Sequence, residues 1–106
     1  MKFGLRPTDI ALIISTLQTC NEVDAAYLFG SRAKGNYRPG SDVDIALIGN
    51  HITFNTIARI KELLQEQSKM PYQFDIVDYT HCKSDVLKAH IDAVGVLLFS
   101  KPATSA

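Results

Sequence analysis

Apolar residues change their period several times along the chain, and each change marks an element. Ile10, Ile13, Ile14 and Leu17 recur at i, i+3, i+4 and i+7, the spacing of one buried helical face. Thr8 and Asp9, following Pro7, read as the start of that helix, which is expected to end near Asn21. Ala25 to Phe29 is a short apolar run closed by Gly30, which predicts a buried strand. Ser31 to Gly35 leaves room for a helical turn or two, and Pro39-Gly40 signals a turn. Asp42 to Ile48 reads as a second strand, stopped by Gly49-Asn50. Phe54, Ile57, Ile60 and Leu64 return to helical spacing between Thr53 and Gln67, and Pro71 terminates that region. Gln73 to Val77 predicts a third strand. Ser84 caps a last helix that Gly95 ends, and Val96 to Phe99 supplies one more strand or edge segment. The order α-β-(short α)-β-α-β-α-β predicts an α/β (α+β) domain in which helices pack over a small sheet.

The 106 residues are the size of one domain, spanning 1–106, and 46% of them are hydrophobic, enough for a packed core. Residues 101–106 form a small polar tail that is expected to be disordered. Eleven basic and eleven acidic residues cancel, which argues against a domain that grips long nucleic acid by itself. No apolar run approaches the roughly 20 residues of a membrane span, and the first residues lack the apolar region of a signal peptide. The expectation is a soluble cytoplasmic protein. Cys20 and Cys82 do not make a disulfide framework. His51, His81 and His90 fall at no zinc-binding spacing. Tyr27, Tyr72 and Tyr79 read as core or rim, and Tyr37 as a loop aromatic, a lid or a partner contact.

The informative stretch runs from Phe29 to Ile45. Strand side chains alternate, so Asp42 and Asp44 point the same way while Val43 and Ile45 face the core. Two adjacent carboxylates repel unless a cation sits between them. Their hard oxygens suit Mg²⁺. Asp75, between Phe74 and Ile76, is also turned from the apolar face. If its strand neighbours the second, three carboxylates converge. Such a site asks for an anionic ligand. Gly30-Ser31, opening a helical turn, offers close backbone approach and free N–H groups to phosphate oxygens. Arg32 and Lys34 add positive charge nearby.

At these residues the sequence resembles the polymerase-beta-like nucleotidyltransferase superfamily, and within it the minimal nucleotidyltransferases (MNT). Gly30-Ser31, ten intervening residues and Asp42-x-Asp44 match its motif, with Asp75 as the third acid. The resemblance implies that family's fold, a small mixed sheet with helices against it. It also implies roles. Asp42, Asp44 and Asp75 would be the catalytic and metal-binding residues for two Mg²⁺ ions, and Asp75 would help activate the attacking hydroxyl. Gly30 and Ser31 would hold the β/γ phosphates of ATP, with Arg32 and Lys34 as further nucleotide contacts. Two metals about 3.5–4 Å apart can stabilise both the entering and the leaving oxygen of an in-line displacement.

The implied reaction is transfer of AMP from ATP. Larger members of the superfamily carry an extra acceptor domain for which this chain has no room. Minimal nucleotidyltransferases resemble one half of a toxin–antitoxin pair whose other half is an all-helical HEPN protein, also described as a substrate-binding protein. The implied acceptor is then a hydroxyl of that partner, in a hetero-oligomer, with a homodimer as the alternative assembly. Two other readings stay open here. One is an antitoxin or nucleotide-binding subunit that works by contact alone. The other is an adenylyltransferase acting on a small molecule such as an antibiotic.

Overall fold

The computed structural model describes residues 2–102. Helix α1 spans Pro7–Gln18, one residue ahead of the expected start and three short of the expected end. Pro7 occupies the first helical turn, where its missing N–H costs nothing. Asp9 closes the entry. Its carboxylate accepts from the Arg6 N–H (3.1 Å) and from the Arg6 guanidinium (3.0 Å to each oxygen). The Tyr72 hydroxyl donates to the same carboxylate at 2.7 Å. Asp9 is thus 3% exposed, a buried acid rather than a solvated cap. Ile13 and Leu17 are fully buried, whereas Ile10 and Ile14 pack at the edge of the core.

Four strands form one sheet in the order β3-β2-β1-β4: β1 Ala25–Phe29, β2 Val43–Ile48, β3 Phe74–Asp78 and β4 Val96–Ser100. β1 runs antiparallel to β2 and β4, and β2 runs parallel to β3. The mixed sheet follows from the connections. A parallel pair needs a helical crossover, supplied between β2 and β3 by α3 (Phe54–Glu62) and a π-helical turn (Leu63–Gln67) that widens its end. A short helix α2 (Gly30–Lys34) follows β1 directly, and α4 (Asp85–Val94) precedes β4. Thr53 and Ser84 cap α3 and α4 through their hydroxyls.

Alternation along the strands separates two apolar layers. Leu28, Val43, Ile45, Leu47, Phe74 and Ile76 join α1, α3 and the π-helical turn through Ile13, Leu17, Ile60 and Leu64 in the main core. The opposite face carries a smaller cluster of Phe29, Ala46 and Ile91 beneath α4. Cys20 and Cys82 are free thiols. Among the described residues no helix is long and apolar enough to cross a membrane. Of the expected tail, residues 103–106 lie outside the described residues, and the Lys101 N–H still bonds the Asp24 carbonyl at 2.8 Å.

Arg6 and Tyr72 hold the Asp9 carboxyl down, from 3.8 to about 2, against a burial that pushes it up. A depressed folded-state pKa contributes stability that is present above pH 4 and lost as pH falls toward 2. Asp9→Asn is expected to lower stability at pH 7 by about 2 kcal/mol, roughly 10 °C in Tm for a domain of this size. Its acid unfolding limb should also be shallower. Thermal melts of both proteins between pH 2 and 7 check this, and an unchanged acid limb would show that the pair carries no linkage.

Candidate active site

β1 ends at Phe29, and the chain turns at once into α2 through Gly30, whose φ is +74°. Only glycine enters that region without strain. A second demand falls on the same position: a Cβ there would overlap the Asp44 carboxylate. Register explains the approach, since Phe29 lies opposite Asp44 across the β1–β2 pair. The glycine-serine turn therefore sits directly on the second carboxylate of the Asp-x-Asp pair.

The third acid arrives from the other side of β2. In the parallel β2–β3 pair Asp44 is the partner of Asp75, so both project from the sheet face that carries the smaller cluster. Asp42 lies just outside β2, which begins at Val43 rather than at the expected Asp42. Asp42 and Asp75 are exposed and Asp44 is half-buried. Burial first, then the charges of Asp75 and Asp42, push the Asp44 carboxyl up from 3.8 to about 6, with His90 and Arg32 pulling the other way. His90 reaches this corner from α4 and packs edge-on against Phe29, with ring centroids 6.1 Å apart. In sequence it is only a histidine on an amphipathic helix.

Arg32, expected as a further nucleotide contact, is turned into the protein. It is 2% exposed. Its Nε and Nη2 donate to the Ser41 carbonyl at 3.1 and 2.8 Å, and Nη1 donates to the Phe3 carbonyl at 2.8 Å. The rings of Tyr37 and Tyr72 flank it at 5.5 and 5.2 Å. All three nitrogens are engaged by the protein itself. Lys34 stands exposed at the end of α2, and Ser31 is half-buried on its first turn. Gln65, in the π-helical turn, is a positioning group that the sequence did not flag. Its Oε1 accepts from the Phe74 N–H at 2.8 Å and its Nε2 donates to the Tyr72 carbonyl at 2.9 Å, fixing the chain just ahead of Asp75.

Among the described residues no three His, Cys, Asp or Glu side chains enclose an ion by themselves. The donor set nevertheless suits Mg²⁺, which takes hard oxygens, needs only one or two carboxylates and fills its shell with water and substrate phosphates. A divalent cation would relieve the crowding of Asp44 by the charges of Asp75 and Asp42. Asp42, Asp75 and residues 35–40 are all exposed, so the acids line an open ledge. The more enclosed cavity on this face, about 260 Å³, lies toward the far end of β2 among Tyr27, Ile48, Tyr79 and Ile91.

The fold thus brings a carboxylate against a glycine-serine turn, and residues 12–104 match Polymerase beta, Nucleotidyltransferase. The chain belongs to this nucleotidyltransferase family. A probable protein adenylyltransferase MntA of Haemophilus influenzae is 29% identical over 85 residues, covering 79% of this chain and 74% of that protein. A crystal structure of a toxin–antitoxin with AMP-PNP superimposes with a TM-score of 0.74 at 26% identity, over 87% of this chain and 73% of the other. The MNT antitoxin in complex with a tri-AMPylated HEPN toxin, from Shewanella oneidensis, shares the fold (TM-score 0.69, 22% identity, 92% and 74% coverage).

The nucleotidyltransferase edge has a measurable electrostatic signature. Because the Asp44 pKa is raised, the metal-free fold is most stable below pH 4 with respect to this group and loses that contribution as pH rises through 6. Discounted for solvent screening, the cost at pH 7.5 is about 1 kcal/mol. In EDTA at that pH, Asp44→Asn is expected to raise Tm by about 4 °C, with a smaller gain at pH 4.5. Equal shifts at both pH values would contradict the repulsion.

Proposed function

We propose that this protein transfers AMP from ATP to a hydroxyl of a partner protein, and that the partner is a HEPN toxin for which this chain is the antitoxin. The observation that carries the reading is the contact of Gly30 with Asp44, itself flanked by Asp75 in register. It unites a phosphate-approach turn with a carboxylate edge on one open ledge. The MntA relative and the AMP-PNP-bound neighbour support the nucleotide and the protein acceptor.

In this reading Gly30 and Ser31 bind the β/γ phosphates, and exposed Lys34 adds charge beside them. Asp42, Asp44 and Asp75 would hold Mg²⁺, two ions in all, which when bound neutralise the triphosphate and sharpen the in-line displacement. Asp75 takes the proton of the attacking hydroxyl. The hydroxyl oxygen bonds the α-phosphorus, the bond from that phosphorus to the bridging oxygen breaks, and pyrophosphate leaves. Arg32 has no direct part. An open ledge favours loss of nucleotide to water, so closure is assigned to the partner, with the pair acting in the cytoplasm where ATP is supplied.

The test is transfer of label from α-³²P-ATP to a co-purified HEPN-type protein, with pyrophosphate release. Asp42→Asn and Asp44→Asn should fold and lose transfer by about 100-fold or more. Full transfer by both folded variants would refute the reading. Undiminished toxin neutralisation in cells by the double variant would favour inhibition through contact alone.

A further inference from the structure

We infer that Arg32 is a positioning residue that fixes the backbone of Asp42. The inference rests on the transferase reading for its kinetic arm and on geometry for the rest. The Ser41 carbonyl and the Asp42 N–H belong to one planar peptide unit. Arg32 forks onto that carbonyl with Nε and Nη2, so it sets the plane on the N-terminal side of Asp42. The next peptide is held as well, because the Val43 N–H donates to the Gln73 carbonyl at 2.8 Å. Asp42 is thereby clamped on both sides although its own side chain is in solvent.

Among the described residues Arg32 is the buried side chain that hydrogen-bonds the Ser41 carbonyl. The loop from Asn36 to Gly40 is exposed throughout. Its internal bonds, Ser41 N–H to the Arg38 carbonyl and Arg38 N–H to the Ser41 hydroxyl, tie the loop only to itself. Burying a guanidinium is costly, and here its partners are carbonyl oxygens. The fork needs two nitrogens in a fixed plane, which a lysine cannot supply. The surroundings are shaped to it: a Cβ on Gly4 would strike both Arg32 Nη1 and the Tyr37 ring. Tyr37 and Tyr72 cover its two sides. Arg32 thus carries the position of Ser31's helix, one residue earlier, across the ten-residue spacer to the first acid. It sets the distance between phosphate turn and carboxylate without touching either ligand.

Two measurements test this. In ¹⁵N-labelled wild-type protein the Arg32 Nε–H should exchange slowly and keep its resonance when Mg²⁺ and AMP-PNP are added. In Arg32→Lys, amide exchange should rise about tenfold across residues 36–42 while the β1 and β2 amides keep their protection. The Mg²⁺ concentration for half-maximal AMP transfer should rise about tenfold, with the KM for ATP at saturating Mg²⁺ within about twofold of wild type. A resonance that moves with the nucleotide, or a raised KM with unchanged loop exchange, would make Arg32 a phosphate contact and overturn the inference. Loop exchange equal to wild type would overturn it too. Absence of transfer in the wild type would fail the transferase reading and leave the resonance and exchange arms to decide this one.

Discussion

Three carboxylates of like charge share one edge of the sheet, and the rest of the molecule can be read as the means of keeping them there. Asp44 bears the cost, half-buried between Asp75 and Asp42 with its carboxyl pushed up to about 6. A strand free to slide or twist would relieve the crowding by turning one acid toward water. β2 has no such freedom. It is paired on both sides, its alternate residues Val43, Ile45 and Leu47 are fully buried, and a one-residue slip would drive Asp44 into the apolar core. The hydrophobic layer thus fixes an electrostatic arrangement that would not persist by itself.

The two outer acids lack that protection, because Asp42 precedes β2 and Asp75 lies on an edge strand. Both are instead approached through the main chain just before them. Arg32 holds the Ser41 carbonyl, and Gln65 holds the Phe74 N–H and the Tyr72 carbonyl. The same logic recurs at two sites: a buried or half-buried side chain fixes the backbone, and the backbone aims an exposed acid. The π-helical turn that carries Gln65 then has a physical purpose, since an extra residue in the turn shifts the side chain's direction relative to a regular helix. Tyr72 joins the two clamps, its ring against Arg32 and its carbonyl accepting from Gln65 Nε2.

The element order was legible because each element has its own apolar period, and Gly30, Gly95 and Ser84 punctuate the ends. The acids were legible because Asp-x-Asp and an Asp within an apolar strand are unusual where side chains alternate. What stayed hidden were properties of pairing and depth. Periodicity shows that β3 exists but not that Asp75 falls opposite Asp44; that follows from the parallel register. Arg32 reads as a surface charge beside a phosphate turn, since a sequence displays charge and not burial. Asp9 was read as a helix start, and only packing against Tyr72 explains why it is 3% exposed. Gln65 carries no signal at all in a polar helical stretch.

The ledge itself points outward to the assembly. Among the described residues both faces of this small sheet are spent on core, one under α1 and α3 and the other under α4, and no element roofs the acids. Electrostatic stabilisation gains strength when water is excluded, yet Asp42, Asp75 and residues 35–40 stay open. Enclosure from within would need further chain over the ledge, and any such cover would also bar a large acceptor. Leaving the roof to the acceptor solves both problems. In the proposed reading the acceptor that covers the ledge also supplies the specificity. The nucleotidyltransferase core has only to hold its acids and its glycine turn in register.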